Sequence, residues 1–589
     1  MKINIENDIK GIFMVLFCIS IFLFAHSNGY NILPFSCNII LYLYSIVGSI
    51  TFLYLLKPCI RLKIIDIACL IYFIYNILWL LMTSKIKNTE SLYLLVFLAM
   101  LYINMRNISF IYYKYIIYSF PFIIISHFAY YICRENPYYF LYEHKGVFTG
   151  LFYNSGLWGA FVAMALICNI GLIYLNRKNK VLFVLLTLTA CIVSFILYES
   201  DSRASWLSFI IGVLTFFLPF AIRYLQKSIM IQICNLLMLS FLCVYLISGL
   251  YSYKKDSADG RILIWKVSLE MVKDKPIWGY GYDGFRKNYM NYQAAYLQEK
   301  QCPEKINCIA DDNHYAFNEF LRIIIEHGIV GVILPFSILT VIGYVIYKYK
   351  LYVDIVSRTM ISCLVALLFF SFFSYPLSAF YINVLIVILL AGLVCCSPNA
   401  QIRKLQISPI ILIIPHSIIF SVSLAYLLSY SKANSDWQNA MKGICTNDNV
   451  FEEARKKISG NPYFLFTYGK HLNRKKNYSK ASLILSQSMK EYPSYYTIME
   501  LGISYKAQNR YTEALCCFMK AKNMVPHKFK PLYLMMEVYY DMKDYKTAFQ
   551  LSKEILCKQS KIRSTELNKI IDKTILLQEK MNARYININ

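Results

Sequence analysis

The chain has 589 residues, of which 58% are hydrophobic and only 16% charged, against roughly 25% charged in a soluble protein. That composition excludes an ordinary soluble enzyme. The net charge of +26 would suit a nucleic-acid binder if the cations shared one face. In the first 430 residues they sit mostly in short loops between apolar stretches, so no nucleic acid is expected as a partner.

Thirteen apolar stretches are read as helices able to cross a hydrocarbon layer of ~30 Å, which takes about 20 helical residues. They lie near 11–27, 36–56, 65–82, 91–105, 108–132, 148–175, 181–198, 205–222, 229–250, 319–347, 356–373, 377–396 and 407–430. No small-x-small cleavage site follows the first, which is expected to stay as a span. Short loops on one side, with their span edges, carry fourteen Lys and Arg, among them Lys57, Arg61, Arg106, Arg177, Arg223, Lys348 and Arg403, against five on the other. The positive-inside rule then puts the N-terminus in the cytoplasm. The polar segment 251–318 and everything after the last span fall on the opposite, periplasmic side.

Beyond residue 430 the pattern turns soluble and periodic. Tyr478, Tyr511 and Tyr545 recur at spacings of 33 and 34, as do Ala481, Ala514 and Ala548, and Pro493 and Pro526 are 33 apart. This resembles the tetratricopeptide repeat, a helical hairpin with a small residue where its helices touch. Three units, with a degenerate fourth around 436–460, suffice for a shared core. The expected class is all-α. A polytopic transmembrane bundle of twelve or thirteen spans occupies 1–430, with 251–318 as its large periplasmic loop, and a periplasmic α-solenoid occupies 431–589. The repeats offer a surface for a protein partner.

Eighteen cysteines include no CxxC pair, and no metal cluster is apparent. Cys302 and Cys308, in the polar loop, could bridge in an oxidising compartment.

Three polar clusters stand at span ends on the predicted periplasmic side, where charge is costly unless it has work to do. In "YESDSRASW" (198–206), Glu199, Asp201 and Arg203 crowd a short loop, and Ser202 or Ser205 can cap the following helix. In "DGRILIWKVSLEMVKDKPIWGYGYDGF" (259–285), Ile262, Trp265, Leu269 and Val272 follow helical spacing, so 260–274 is expected to be an amphipathic helix with Arg261 in its first turn. Gly279, Gly281 and Gly284 spell GxGxxG, but with no preceding strand a tight turn is expected rather than a dinucleotide site. In "DDNHYAFNEFLRIIIEHGIVG" (311–331), Asp312 or Asn313 can cap a helix bearing His314, Asn318 and Arg322 at four-residue spacing, with Gly328 ending its first segment. A histidine there could serve as a general base.

In this order and topology the clusters resemble the O-antigen ligase/polymerase family. Ser202-Arg203 matches a Ser-Arg pair at a span start; Arg261, Trp265, Pro276, Gly279, Gly281 and Phe285 match the next motif; Asn318, Gly328 and Gly331 match the last. The segment 146–163, with Asn154, is also similar, and the resemblance covers about 140–400. At the family's histidine position stands Phe317, with His314 three residues earlier and Glu319 as another candidate base. The resemblance implies transfer of a glycan from undecaprenyl pyrophosphate to an acceptor at the periplasmic face of the bacterial inner membrane, with neither metal nor cofactor. The acceptor would be lipid A core (ligase), another lipid-linked unit (polymerase) or a protein (O-oligosaccharyltransferase). Arg203 and Arg261 would stabilise the leaving group and His314 or Glu319 would take the proton. Asn318, Arg322, Trp265, Asn154 and Asp201 would bind substrate among the membrane lipids. A polysaccharide transporter or flippase is disfavoured, because no paired charges lie in mid-span and no duplicated half is visible. A non-catalytic scaffold is the remaining alternative.

Overall fold

The computed structural model describes residues 5–23, 47–48, 50–51, 59–83, 89–134, 149–150, 152, 154–225, 249, 251–300, 303–397, 401–406, 409–441, 449–458, 460–560 and 564–586. The expected helices at 36–56 and 229–250 and the residue Cys302 fall largely or wholly outside them. Two compact units emerge: 1–250, 317–320 and 330–447 form the first, and 251–316, 321–329 and 448–589 the second. The loop assigned by sequence to the transmembrane domain therefore clusters with the repeats.

The first unit is helical. Among the described residues, seven helices are long and apolar enough to cross a membrane, and shorter apolar helices such as Ile355–Phe370 and Phe380–Cys396 accompany them. Their burial differs because their neighbours do. Ser155–Leu175 is 83% buried, whereas Lys180–Glu199 is 22% buried although it is the more apolar of the two. The first is rich in small residues that let helices approach closely without a hydrophobic driving force. A Cβ on Gly171 would meet Thr359 Oγ1 at 2.3 Å, and one on Gly159 would meet Ser200 Oγ at 2.6 Å. The second turns Val181, Phe183, Leu185 and Leu188 outward, as a helix facing lipid tails does.

One departure from helix is present among the described residues. Cys59–Lys63 pairs antiparallel with Gln401–Gln406, setting Arg61 opposite Lys404 in register. Beside this ribbon the buried Asp66 accepts from the Lys63 backbone N–H at 2.8 Å, the Tyr102 hydroxyl at 2.8 Å and Arg106 Nε at 3.1 Å. A buried carboxylate is tolerated when its lone pairs are satisfied in this way.

In the second unit the repeats form the expected hairpins: Pro462–Arg474 with Tyr478–Glu491, Tyr495–Ala507 with Tyr511–Met524, and Lys530–Asp541 with Tyr545–Cys557. Each hairpin turns on a residue with left-handed backbone, Lys476, Asn509 or Lys543, at φ 61, 60 and 64°. Ala481, Ala514 and Ala548 are all fully buried, because helices touch there. Asn449–Ile458 precedes the array and Thr565–Ile586 follows it.

Candidate active site

The first cluster is built from two helix starts. Asn154 caps Ser155–Leu175, its Oδ1 accepting from the N–H groups of Gly156 at 2.7 Å and Leu157 at 3.3 Å. Ser202 caps Arg203–Leu225, its Oγ accepting from the Ser205 N–H at 3.4 Å. Ser205 Oγ in turn donates to Gly156 O at 3.0 Å, which ties the two caps together. Asp201 makes the preceding turn at φ 49°, and Arg203 is the first residue of its helix, half-buried. Two positive helix ends beside a guanidinium form an environment suited to a phosphate.

Phe152 packs edge-on against Tyr381, their centroids 5.7 Å apart, which links this cluster to the start of Phe380–Cys396. Glu319 belongs to the same unit. It is 2% exposed, its N–H donates to Ser371 O at 2.8 Å, and its Oε1 accepts from the Leu377 N–H at 2.8 Å. Phe317, where a histidine was expected, has φ 49° and packs edge-on to Tyr375 at 5.2 Å.

The second and third motifs interlock in the second unit, backbone against backbone. Tyr280 N–H donates to Ile325 O at 2.8 Å, Gly281 N–H to Glu326 O at 2.9 Å and Ile329 N–H to Pro276 O at 2.9 Å. A Cβ on Gly279 would lie 2.5 Å from Ile325 O, and one on Gly328 would lie 1.9 Å from Ile277 O. The glycines of GxG and GxxG thus make one joint: each is small because the other's backbone fills the space. Gly328 at φ 67° also breaks the helix Glu319–Lys348 there.

Three expectations are corrected. The loop helix spans Lys255–Asp274, so Arg261 lies in its second turn rather than its first. The face that packs is Leu263, Ile264, Val267 and Met271, while Ile262 and Leu269 are exposed. Third, residues 310–318 are not helical, so His314, Asn318 and Arg322 share no helix face, and His314 does not stand in for position 317 by helical adjacency. Tertiary docking has overridden the local pattern.

That docking involves the repeats. His314 packs on the Tyr492 ring at 4.4 Å between centroids, and the Arg286 guanidinium lies 5.5 Å from the same ring. Burial, followed by the Arg286 charge, pushes the His314 pKa down to about 3. Burial pushes the Asp312 carboxyl up to about 7, opposed by the Tyr495 amide at a repeat-helix start. Gln293 Nε2 donates to Met524 O at 2.7 Å and Asn523 Nδ2 to Gln298 Oε1 at 3.0 Å. Trp265 Nε1 donates to Ala316 O at 3.1 Å, which fastens the Arg261 helix to the non-helical segment 310–318. Arg322 Nη1 lies 3.6 Å from Glu326 Oε2.

The predicted residues are therefore divided between the units: Asn154, Asp201, Arg203, Asn318 and Glu319 in the first, Arg261, Trp265, His314 and Arg322 in the second. Sequence reasoning missed Tyr492, Arg286 and Gln293. Their contacts span up to 231 residues, and no local signal marks them. Among the described residues no group of three His, Cys, Asp or Glu side chains converges as a metal site would, so none is assigned to a metal.

Residues 188–336 match the O-antigen ligase family. The matched stretch holds the Ser202-Arg203 cap, the Arg261 helix and both halves of the glycine joint. No curated protein is significantly similar to the chain. Among solved structures, the crystal structure of yeast Tom70 aligns with 72% of this chain and 89% of its own at 9% identity. Its TM-score of 0.21 is too low to bear on fold or function.

Proposed function

We propose that this protein transfers a glycan from undecaprenyl pyrophosphate to an acceptor hydroxyl at the periplasmic face of the inner membrane, as an O-antigen ligase does. The observation that carries the reading is the O-antigen ligase match over 188–336, which supports a glycan-transferring membrane enzyme and contains the Ser202-Arg203 helix start and the glycine joint. In the reaction the bond from the anomeric carbon to the pyrophosphate oxygen breaks. The acceptor oxygen bonds to that carbon, and its proton passes to a base. Arg203, at the positive end of its helix, is assigned to the departing pyrophosphate; Arg261 is assigned the same role from the family pattern. Asn154 caps the neighbouring helix start, which Ser205 ties to that of Arg203, and Asp201 makes the turn before Arg203.

For the base we assign Glu319 rather than His314. A histidine whose pKa is pushed down to about 3 is a poor proton acceptor near neutral pH, and its stacking on Tyr492 suits the docking of the loop. Asn318, Arg322 and Trp265 are assigned to substrate binding from the family pattern.

The test uses the purified full chain with a lipid-linked oligosaccharide and an acceptor. Arg203→Ala, Arg261→Ala and Glu319→Gln should each lower turnover by roughly 10²–10³-fold, the usual loss when one charge-stabilising group is removed. His314→Phe should retain turnover. Deleting the gene distinguishes the acceptors: polymer left on the lipid carrier means ligase, a single capped repeat means polymerase, and loss of glycoprotein alone means protein transfer. Unchanged activity in all three variants would sink the proposal.

A further inference from the structure

The loop helix Lys255–Asp274 has a second face that the packing leaves open. Ile262 is 42% and Leu269 52% exposed, and Lys266 and Lys273, the latter paired with Glu270 at 3.0 Å, lie beside them on the open side. At 100° per residue these four positions fall within about 60° of one another, giving an alternating apolar and basic stripe. The helix ends in the turn that carries Lys275, Ile277 and Trp278, the last two 55% and 63% exposed. Exposed Trp and Ile at the tip of a tight turn are unusual on a surface that meets only water.

The place of this turn in the chain indicates what covers it. Pro276 O accepts from the Ile329 N–H, and Ile329 leads directly into the apolar stretch 330–347 of a candidate membrane span. Gly279 and Gly328 hold the turn there with no room for a side chain on either. The turn that ends the stripe's helix is therefore hydrogen-bonded to the residue that precedes this apolar stretch in sequence. An amphipathic helix with Lys on its polar edge and Leu, Ile or Trp on the other lies in the headgroup layer, with the Lys stems snorkelling. Trp concentrates at that depth.

We propose that the stripe Ile262–Lys266–Leu269–Lys273 and the Ile277–Trp278 turn form a membrane-interface anchor that rests on an anionic lipid surface. It keeps the Arg261 helix at the level of the headgroups. Its occupant is the bilayer itself.

The test uses the full chain reconstituted in nanodiscs of phosphatidylethanolamine and phosphatidylglycerol. An environment-sensitive fluorescent amino acid replaces Leu269 or Trp278, and Leu483, an exposed apolar residue of the repeats (55%), as control. Positions 269 and 278 should show blue-shifted emission, quenching by lipids with a nitroxide near the headgroup, and loss of quenching by aqueous iodide. Position 483 should show the reverse. Lys266→Glu with Lys273→Glu, both surface changes, should return iodide access at 278, as should replacing phosphatidylglycerol with neutral lipid. If 269 and 278 behave like 483, the anchor is refuted. If they are shielded from iodide but untouched by the lipid nitroxide, protein rather than lipid covers the face, and the assignment is equally overturned. No outcome depends on whether the chain transfers glycans.

Discussion

Gly328→Ala should unseat the turn that carries Gly279 and Gly281. The added Cβ would sit 1.9 Å from Ile277 O and 2.3 Å from its carbonyl carbon, and both are backbone atoms that no rotamer change can move aside. The conformation itself, φ 67° and ψ −171°, belongs to a region that is essentially glycine's alone, at a cost of about 1–3 kcal/mol for another residue. Relieving the overlap means separating the two segments and giving up the three hydrogen bonds at Tyr280, Gly281 and Ile329, each worth about 0.5–1.5 kcal/mol net. Together the local loss is on the order of 3–7 kcal/mol, enough to open the joint without unfolding the rest. Hydrogen exchange by mass spectrometry on the full chain in nanodiscs reads this directly, since peptides covering 276–284 and 325–331 should lose protection. Gly260→Ala is the control: nothing lies within 4 Å of its Cβ, and in a helix Ala is favoured by about 1 kcal/mol. If Gly328→Ala leaves both peptides as protected as Gly260→Ala does, the interlock is wrong.

Other outcomes follow from the same structure. Tyr492→Ala should remove the surface on which His314 and Arg286 pack and raise exchange across 310–316, whereas Tyr492→Phe should keep it; equal behaviour of the two would refute ring stacking as the cause. Asp312 is an acid with a raised folded pKa, so its contribution is most favourable below its unfolded value near 4 and is lost as pH rises toward 7. Asp312→Asn should therefore raise the melting temperature at pH 8 more than at pH 5, and a pH-independent change would contradict the assignment. His314 has the opposite sign. Its depressed pKa costs stability as pH falls below about 6.5, so His314→Phe should improve acid tolerance between pH 6 and 4. Ser205→Ala should break the link to Gly156 O and cost about 0.5–1.5 kcal/mol, read as a small drop in thermal stability with no change at the loop.

Much of the fold was legible because membrane spans and repeats are written in composition and period. Lys180–Glu199 declares itself by twenty residues that carry charge only at their ends, and Ala481, Ala514 and Ala548 announce a helix contact by recurring where bulk is forbidden. The Ser202 cap and the break at Gly328 were equally visible, since each is a local matter of a side-chain acceptor or a missing Cβ. The helix expected through His314, Asn318 and Arg322 was not there. Four-residue spacing is only a weak prior, and Phe317 in left-handed backbone, with Asp312 and His314 drawn onto the repeats, outweighs it. The ring on which His314 packs, Tyr492, lies 178 residues downstream, and no spacing rule reaches that far. In Lys255–Asp274 the helical spacing of Ile262, Trp265, Leu269 and Val272 marks an amphipathic helix, but Leu263, Ile264, Val267 and Met271 are the residues that pack, because two apolar faces compete and only tertiary contacts choose between them.

The measurement that bears most directly on the central claim is release of undecaprenyl pyrophosphate by the full chain, followed alongside appearance of glycan on the acceptor. Equal amounts of both are predicted from the native protein, with neither from Arg203→Ala or Glu319→Gln at matched folding. Release without transfer, or transfer that survives both substitutions, would contradict the account.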